Sequence, residues 1–146
     1  MKELRPVLTL ATATALAAFQ GGTDDRARFN AKSALISARV VYLTTQSYEN
    51  VTTDLLSRKN PELRFVDDRP STGPTVLSVK VQGPRQVSLA VYGVRTCWGI
   101  REEGRPAGAG AGVATLYAKR SGPSSGCTAT SFVDADFQEP ERVWKE

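Results

Sequence analysis

Few side chains in this chain have the type and spacing that enzymatic chemistry requires. The sequence contains no histidine, which excludes Ser-His-Asp and Cys-His nucleophile pairs, imidazole zinc ligands and the commonest general base near neutral pH. Its two cysteines cannot complete a structural zinc site. The motifs of the phosphate-binding loop, the EF-hand and the Gly-x-Ser-x-Gly elbow do not occur either. The sequence therefore predicts no enzyme, no cofactor and no metal site.

The acidic pairs that remain lie where solvated charge is the ordinary interpretation. Glu102 and Glu103 lie beside a glycine-rich segment that ends at Gly112, and Asp134 and Asp136 lie in a polar C-terminal tail. Catalysis by two carboxylates requires that they be held at a fixed separation on either side of a substrate. We therefore expect these four carboxylates to be exposed to solvent.

The two cysteines, Cys97 and Cys127, have a structural interpretation. Two cysteines in an exported domain most simply pair, and the N-terminal segment described below suggests export. A bridge closing a loop of about thirty residues would stabilise the domain by roughly 3 to 4 kcal/mol. A catalytic dithiol usually has the Cys-x-x-Cys spacing at the start of a helix, which this pair does not have. We expect a structural disulfide, and two free thiols are the alternative.

Length and composition indicate one folded domain with a mildly basic surface. A chain of 146 residues, 40% hydrophobic and 23% charged, is long enough for one modest core and too short for two domains of ordinary size. The net charge is +4 and the pI about 9.3, but the cations are interspersed with acids. A solvated basic surface is the ordinary interpretation, and contact with nucleic acid or acidic lipid is the alternative.

The N-terminal segment, residues 1–22, is interpreted as an apolar helix or an export segment. Its apolar stretch, Pro6 to Phe19, is shorter than the roughly 20 residues that a bilayer span needs. Lys2 and Arg5 before this stretch, and the small residues Ala15 to Ala18 within it, resemble a secretory signal with a cleavage site. A truncated membrane-inserted helix is the alternative. Either interpretation places the rest of the chain outside the cytoplasm.

The globular part, residues 23–146, is predicted to begin with an amphipathic helix over residues 23–46. Asp24 and Asp25 in its first turn favour the positive end of the helix dipole. Apolar and small residues recur at steps of three and four. This face is expected to pack on a sheet, and the cations Arg28, Lys32 and Arg39 lie largely off it. The residues of the face are Ala31, Ala34, Leu35, Ala38, Val41, Tyr42 and Thr45.

Residues 47–75 are predicted to form a loop region that contains a short helical signal, which Thr52 caps and Asn60-Pro61 ends. The pattern then changes to period two, which is typical of half-buried strands. Short turns favour an antiparallel meander, because a parallel crossover needs a dozen or more residues. Four such strands are predicted, over residues 76–81, 87–93, 97–101 and 113–119.

The predicted fold is therefore α+β, with a long N-terminal helix packed across a small four-stranded antiparallel sheet over residues 76–119. A disulfide loop and tail over residues 120–146 complete the domain. Two placements of the tail stay open, because its apolar residues either fold back over the sheet edge or remain loose; they are Phe132, Phe137, Val143 and Trp144.

Several segments in this order resemble the type IV pilin and type II secretion pseudopilin family. They are the run AAFQGGTDDRARFNAKSALISARVVYLTTQSYENVTTDLL, then STGPTVLSVKV, then TCWGIRE and a second cysteine near the C-terminus. The similarity covers about Ala17 to Thr128. The cleavage run and the first-turn glutamate that precede the helix in that family do not occur in this sequence. A start upstream of Met1, a degenerate pilin-like protein and export by a different signal are the alternatives.

The resemblance implies a structural protein that polymerises through its N-terminal helix, with a disulfide that matches Cys97 to Cys127 around a C-terminal loop. It implies a membrane-inserted helix before assembly, an extracellular filament or pseudopilus afterwards, and other pilins and the pilus or secretion machinery as partners. The residues expected to form the helical packing core are Leu8, Leu10, Leu16, Phe19, Leu35, Ala38 and Tyr42. Packing on the sheet is the ordinary interpretation for the last three of these.

A second hypothesis is a secreted soluble binding module that loses its N-terminal segment, Met1 to about Ala18, as a signal. Tyr92, Trp98 and Tyr117 would then line a ligand face, although aromatic residues on adjacent strands more often pack against one another. The basic surface is compatible with contact to nucleic acid under either hypothesis.

Overall fold

The computed structural model describes residues 11–105, 112–139 and 143–144, with side chains from Thr23 onward. A long helix, α1 (Ala11–Thr45), and a short helix, α2 (Thr53–Lys59), precede one five-stranded sheet. Its strands lie side by side in sequence order; they are β1 (Arg64–Asp67), β2 (Val76–Val81), β3 (Gln86–Tyr92), β4 (Thr96–Gly104) and β5 (Val113–Ser121). The α+β class and the long helix are confirmed, but the predicted four-stranded antiparallel sheet is a five-stranded mixed one.

The predicted antiparallel meander corresponds to strands β2 to β5. The third and fourth strands are longer than predicted, because β4 includes Glu103 and Gly104 and β5 continues to Ser121. Pairing of Gly104 with Val113 extends the ladder into the expected glycine-rich loop. Within the described residues, Arg105 N–H donates to the Gly112 carbonyl at 2.9 Å and closes that loop.

The first strand, β1, is a correction to the sequence prediction, which placed it in a loop. It pairs in parallel with β2, from Arg64 opposite Val76 to Asp67 opposite Val79. The usual requirement for a long crossover does not apply, because β1 has four residues and the chain has to return only about 13 Å. Ser71, in the connection, accepts a hydrogen bond from Tyr92 N–H at 2.8 Å and donates to the Val76 carbonyl, so it bridges β2 and β3.

The short helix α2 forms where the capping signal indicated. Thr52 accepts a hydrogen bond from Leu55 N–H at 3.1 Å through its side chain, which satisfies one of the free amides of the first turn. The helix ends at Asn60, whose N–H donates to the Leu56 carbonyl, and Pro61 follows. Leu56 is its buried anchor. Residues 47–75 are therefore a helix and a strand joined by turns rather than a loop region.

Helix α1 covers one face of the sheet and lies mainly over β3 and β4. Strand alternation directs the large apolar side chains toward the helix, as the period-two pattern predicted. Seven of those residues are buried there with the helix; they are Leu77, Val79, Val87, Leu89, Val91, Trp98 and Ile100. The predicted helix end at residue 46 is one residue beyond the observed end at Thr45.

The C-terminal segment covers the opposite face, so the domain has three layers. Phe132 lies over Gly99, and its ring atoms occupy the space that a Cβ on that residue would need. Phe132 and Phe137 pack with Ala90, Ala118 and the two cysteines in a second core. Gln138 then pairs with Tyr117 at the outer edge of β5.

The tail, for which two placements were open, folds back on the domain. The four apolar residues in question are all buried. Trp144 lies on the α1 side of the sheet, in edge contact with the Trp98 and Tyr117 rings, and its indole N–H donates to the Ala118 carbonyl at 3.1 Å. The C-terminal segment thus contributes to both faces of the sheet and to its β5 edge.

The disulfide between Cys97 and Cys127 is confirmed, and it joins β4 to the start of the C-terminal segment. Both cysteines are almost fully buried. The bridge closes a loop with a sequence separation of 30 residues, so it restricts the unfolded chain considerably.

Replacing both cysteines by alanine should lower the free energy of unfolding by about 3 kcal/mol, because the unfolded chain regains its loop entropy. Urea unfolding of the two proteins, with and without a reductant, measures the difference. The reductant should move the wild-type curve toward that of the variant and leave the variant curve in place. Equal unfolding midpoints for the two oxidised samples would contradict the prediction.

Candidate functional site

The helix residues expected to mediate assembly divide into two groups. Leu8 and Leu10 lie outside the described residues, and Leu16 and Phe19 belong to α1 but their side chains lie outside what the structure describes. The remaining three, Leu35, Ala38 and Tyr42, are buried in the core between α1 and the sheet. Within the chain these three are therefore core residues, in agreement with the ordinary interpretation of that face.

The inner face of α1, which contacts the sheet, is built largely from alanine. Ala27, Ala31, Ala34 and Ala38 are all completely buried. Because alanine has the smallest side chain that still favours a helix, this row allows the helix backbone to approach the sheet closely. Further along, the Tyr42 ring lies against Gly104 of β4, in the space that a Cβ would occupy.

The outer face of α1 carries large apolar side chains that its own sheet does not cover. Phe29, Ile36, Val40 and Leu43 are exposed by 69%, 57%, 49% and 57%. At about 100° per residue they fall within an arc of roughly 60°, on the side of the helix opposite the alanines. We call these four residues the outer stripe.

Sequence reasoning missed the outer stripe, although a signal for it was present. Phe29, Ile36 and Leu43 recur every seven residues, and Val40 follows Ile36 by four, which is the spacing of a helix–helix contact. The more continuous row of small and apolar residues on the inner face dominated the pattern. Helix α1 therefore has more apolar surface than its own sheet buries.

A buried ionic cluster lies beneath the C-terminal half of α1. Glu102 of β4 is completely buried, and its Oε2 accepts hydrogen bonds from Arg39 Nε at 3.0 Å and from Arg39 Nη2 at 2.7 Å. Its Oε1 accepts from the Tyr48 hydroxyl at 2.7 Å. Arg39 Nη2 also donates to Thr115 Oγ1 of β5 at 3.1 Å. This cluster joins α1, the segment after it and two strands.

The burial of Glu102 corrects the expectation that it is solvated. It alternates with Cys97, Gly99 and Arg101 along β4, so it faces α1 together with Trp98 and Ile100. Arg39, which the pattern placed off the packed face, extends to meet it. A buried carboxylate requires a cation and hydrogen-bond donors, and the cluster supplies both.

The cluster shifts the protonation of its tyrosine and its arginine. Burial, followed by the hydrogen bond to Glu102, raises the pKa of the Tyr48 hydroxyl far above its ordinary value. The same carboxylate raises the pKa of Arg39, chiefly through their hydrogen bonds. Burial also raises the pKa of Tyr117, which belongs to the same core. Tyr48 and Arg39 therefore both keep their protons near neutral pH.

The second acidic pair holds the C-terminal segment on the far face of the sheet. Asp134 Oδ1 accepts from Arg101 Nη1 at 2.6 Å, and Asp136 Oδ2 accepts from Arg120 Nη2 at 3.1 Å. Each guanidinium also lies over an aromatic ring of the same segment, with Arg101 4.0 Å from the centre of Phe137. Asp134 is exposed as expected, but both carboxylates have a structural partner.

The three aromatic residues considered for a ligand face do not share a surface. Trp98 and Tyr117 lie on the α1 side and contact Trp144. Tyr92 lies on the opposite face, near the second core, and its hydroxyl donates to the Gly122 carbonyl at 2.8 Å. Side-chain alternation along the strands separates them, so the prediction that these three residues line one ligand face is wrong.

No group of three or more side chains suited to bind a metal occurs among the residues that the structure describes. Within those same ranges, no helix is both long and apolar enough to cross a bilayer. Comparisons of the chain with family models, with curated proteins and with solved structures find no match.

Replacing Arg39 by methionine should lower the free energy of unfolding by roughly 3 to 5 kcal/mol, because it leaves the Glu102 carboxylate buried without its cation. The double variant Arg39→Met with Glu102→Leu should regain most of that loss, since it removes the buried charge as well. Urea unfolding of the three proteins measures both effects. A single variant as stable as the wild type, or a double variant less stable than the single one, would contradict the cluster's role.

Alkaline pH should destabilise the protein partly through Tyr48. Its folded-state pKa lies above the value of about 10 expected in the unfolded chain, so the stability it contributes is present below pH 10 and is lost as the pH rises further. The variant Tyr48→Phe should start less stable, because Glu102 loses a donor, and should then lose less stability between about pH 9 and 11. Unfolding free energies across that range would show parallel curves if Tyr48 had no such role.

Proposed function

We propose that this protein is a structural subunit of a type IV pilus-like filament or secretion pseudopilus, which assembles through its N-terminal helix. The observation that carries the proposal is the outer stripe on α1. Its four large apolar side chains face away from the subunit's own sheet. Exposed apolar surface of this size on a helix is a typical contact for another protein.

Helix-to-helix packing between copies of the chain is the contact that fits the stripe. From Phe29 to Leu43 the helix rises about 21 Å, with apolar residues at the spacing that lets one helix pack against another. The alanine row already anchors the same helix to its own sheet. One helix can therefore hold its globular domain on one side and a neighbouring subunit on the other.

The energetics favour a repeated assembly over an isolated dimer. Covering four half-exposed side chains of this size would contribute roughly 3 to 6 kcal/mol, whereas association costs an estimated 4 to 15 kcal/mol in lost freedom of motion. One such contact therefore gives a weak pair. A subunit that makes it with several neighbours, and adds the N-terminal part of the helix, reaches useful stability.

The other parts of the proposal follow from the family resemblance. The chain would be anchored in the inner membrane through its N-terminal helix before assembly and would reside in an extracellular filament afterwards. Its partners would be further copies, other pilins and the pilus or secretion assembly machinery. The disulfide-bonded C-terminal segment would then belong to the exposed surface, where the basic character allows contact with nucleic acid.

The variant Ile36→Asp tests the proposal, because it places a charge in the middle of the outer stripe without touching the subunit's core. We expect it to lower the amount of protein recovered in sheared filaments from the native cells by tenfold or more, the order of effect for burying an unpaired charge. The matched control is Val133→Asp, since Val133 is also exposed, by 61%, but lies on the C-terminal segment. Unfolding midpoints of the two variants should stay close to that of the wild type.

Three results would contradict the proposal. They are equal recovery of both variants in filaments, loss of the control alone, and a wild-type protein that never enters a polymer. The N-terminal sequence and mass of the mature wild-type protein distinguish the filament subunit from the second hypothesis, a secreted binding module. Cleavage near Ala17 or Ala18 with release into solution would favour the secreted binding module.

A further inference from the structure

One end of the domain combines a tight turn with the N-terminal end of the described α1 side chains. The turn between β3 and β4 spans Gly93 to Thr96 and closes through a hydrogen bond from Gly93 N–H to the Thr96 carbonyl at 2.9 Å. Asp24 of α1 holds this turn, because its Oδ1 accepts from Val94 N–H at 2.8 Å and from Trp98 Nε1 at 2.9 Å. From this point the helix backbone continues toward its start at Ala11. The turn therefore lies at the end of the domain where the N-terminal segment leaves it.

The two residues at the tip of this turn are an exposed apolar residue and an exposed cation. Val94 is 42% exposed, and Arg95 has a φ of 54°, a left-handed conformation that costs a non-glycine residue roughly 1 to 2 kcal/mol. In the turn at the other end of β3, a glycine, Gly83, has the positive φ, at 94°. A glycine at position 95 would remove the strain, so the strained conformation places a cationic side chain where the backbone alone would favour glycine.

Further exposed cations belong to the elements at this end of the domain. Arg26 of α1 and Lys119 of β5 are exposed at the same end, and no carboxylate of the described residues pairs with them or with Arg95. Arg95 also borders an open cleft of about 510 Å³, which Tyr92 and Pro123 line with it. The tip thus offers one apolar and one cationic side chain, and two further cations lie on the neighbouring elements.

We infer that Val94 and Arg95 rest on an anionic phospholipid surface while the N-terminal segment is held in the membrane. This inference rests on the proposed function, in which the N-terminal segment is held in the membrane before assembly. The Arg95 guanidinium would bind headgroup phosphates, which it can contact in a bidentate manner, and Val94 would enter the interface between headgroups and acyl chains. Arg26 and Lys119 would add attraction to a negative leaflet.

The full-length protein should bind vesicles that contain phosphatidylglycerol more tightly than vesicles of phosphatidylcholine alone. Each cation near such a surface contributes about 1 kcal/mol, a factor of about five in affinity. We therefore expect Arg95→Gly to weaken binding to the anionic vesicles about fivefold and Arg95→Glu to weaken it roughly twentyfold. Co-sedimentation over a range of lipid concentrations measures both. The matched control is Arg85→Glu, which makes the same charge change in the exposed turn at the opposite end of β3.

The glycine variant distinguishes a lipid contact from a structural role for Arg95. It relieves the backbone strain, so its unfolding midpoint should equal or exceed that of the wild type even though its binding falls. Equal binding by all four proteins, an equal loss for Arg85→Glu and Arg95→Glu, or full inhibition by inorganic phosphate alone would overturn the inference. None of these results affects assembly through the outer stripe, which the Ile36→Asp variant tests separately.

Discussion

The close approach of α1 to the sheet is the constraint on which the other features of this domain depend. Four alanines remove side-chain volume from the contact, and Gly104 makes room for the Tyr42 ring at its far end. At that distance Arg39 can extend around the side of the helix to the buried carboxylate of Glu102. The ionic cluster is thus a consequence of the packing. It also fixes the position of the helix along the sheet, since no other carboxylate of the described strands meets Arg39.

The C-terminal segment covers the second face of the sheet. Both faces are apolar, and α1 covers only one of them. The disulfide starts the segment on the far face, where Phe132 packs over Gly99 and two arginines hold the following turn. Pairing of Gln138 with Tyr117 occupies part of the β5 edge. An edge strand of nine residues is a hazard for uncontrolled pairing, so this pairing contributes to specificity as well as to stability.

The sequence predicted the elements whose signal is local. The meander follows from period-two alternation, α2 from its Thr52 cap, and the disulfide from the number of cysteines together with the expected export. It could not predict β1, because four residues carry little pattern and the pairing is with a strand after a turn. The burial of Glu102 was equally out of reach, since its partners Arg39 and Tyr48 come from distant segments.

The distribution of side-chain size around α1 is the step from fold to function. A helix that served only its own domain would gain most by turning its largest apolar residues toward the sheet. Here Phe29 and Ile36 face outward, while alanines take much of the inner face beside Leu35, so the domain leaves large apolar side chains exposed. An arrangement that is unfavourable for the isolated domain becomes favourable when neighbouring helices cover the outer stripe. The proposed assembly would therefore account for both faces of the helix, whereas a solitary binding module would account only for the inner one.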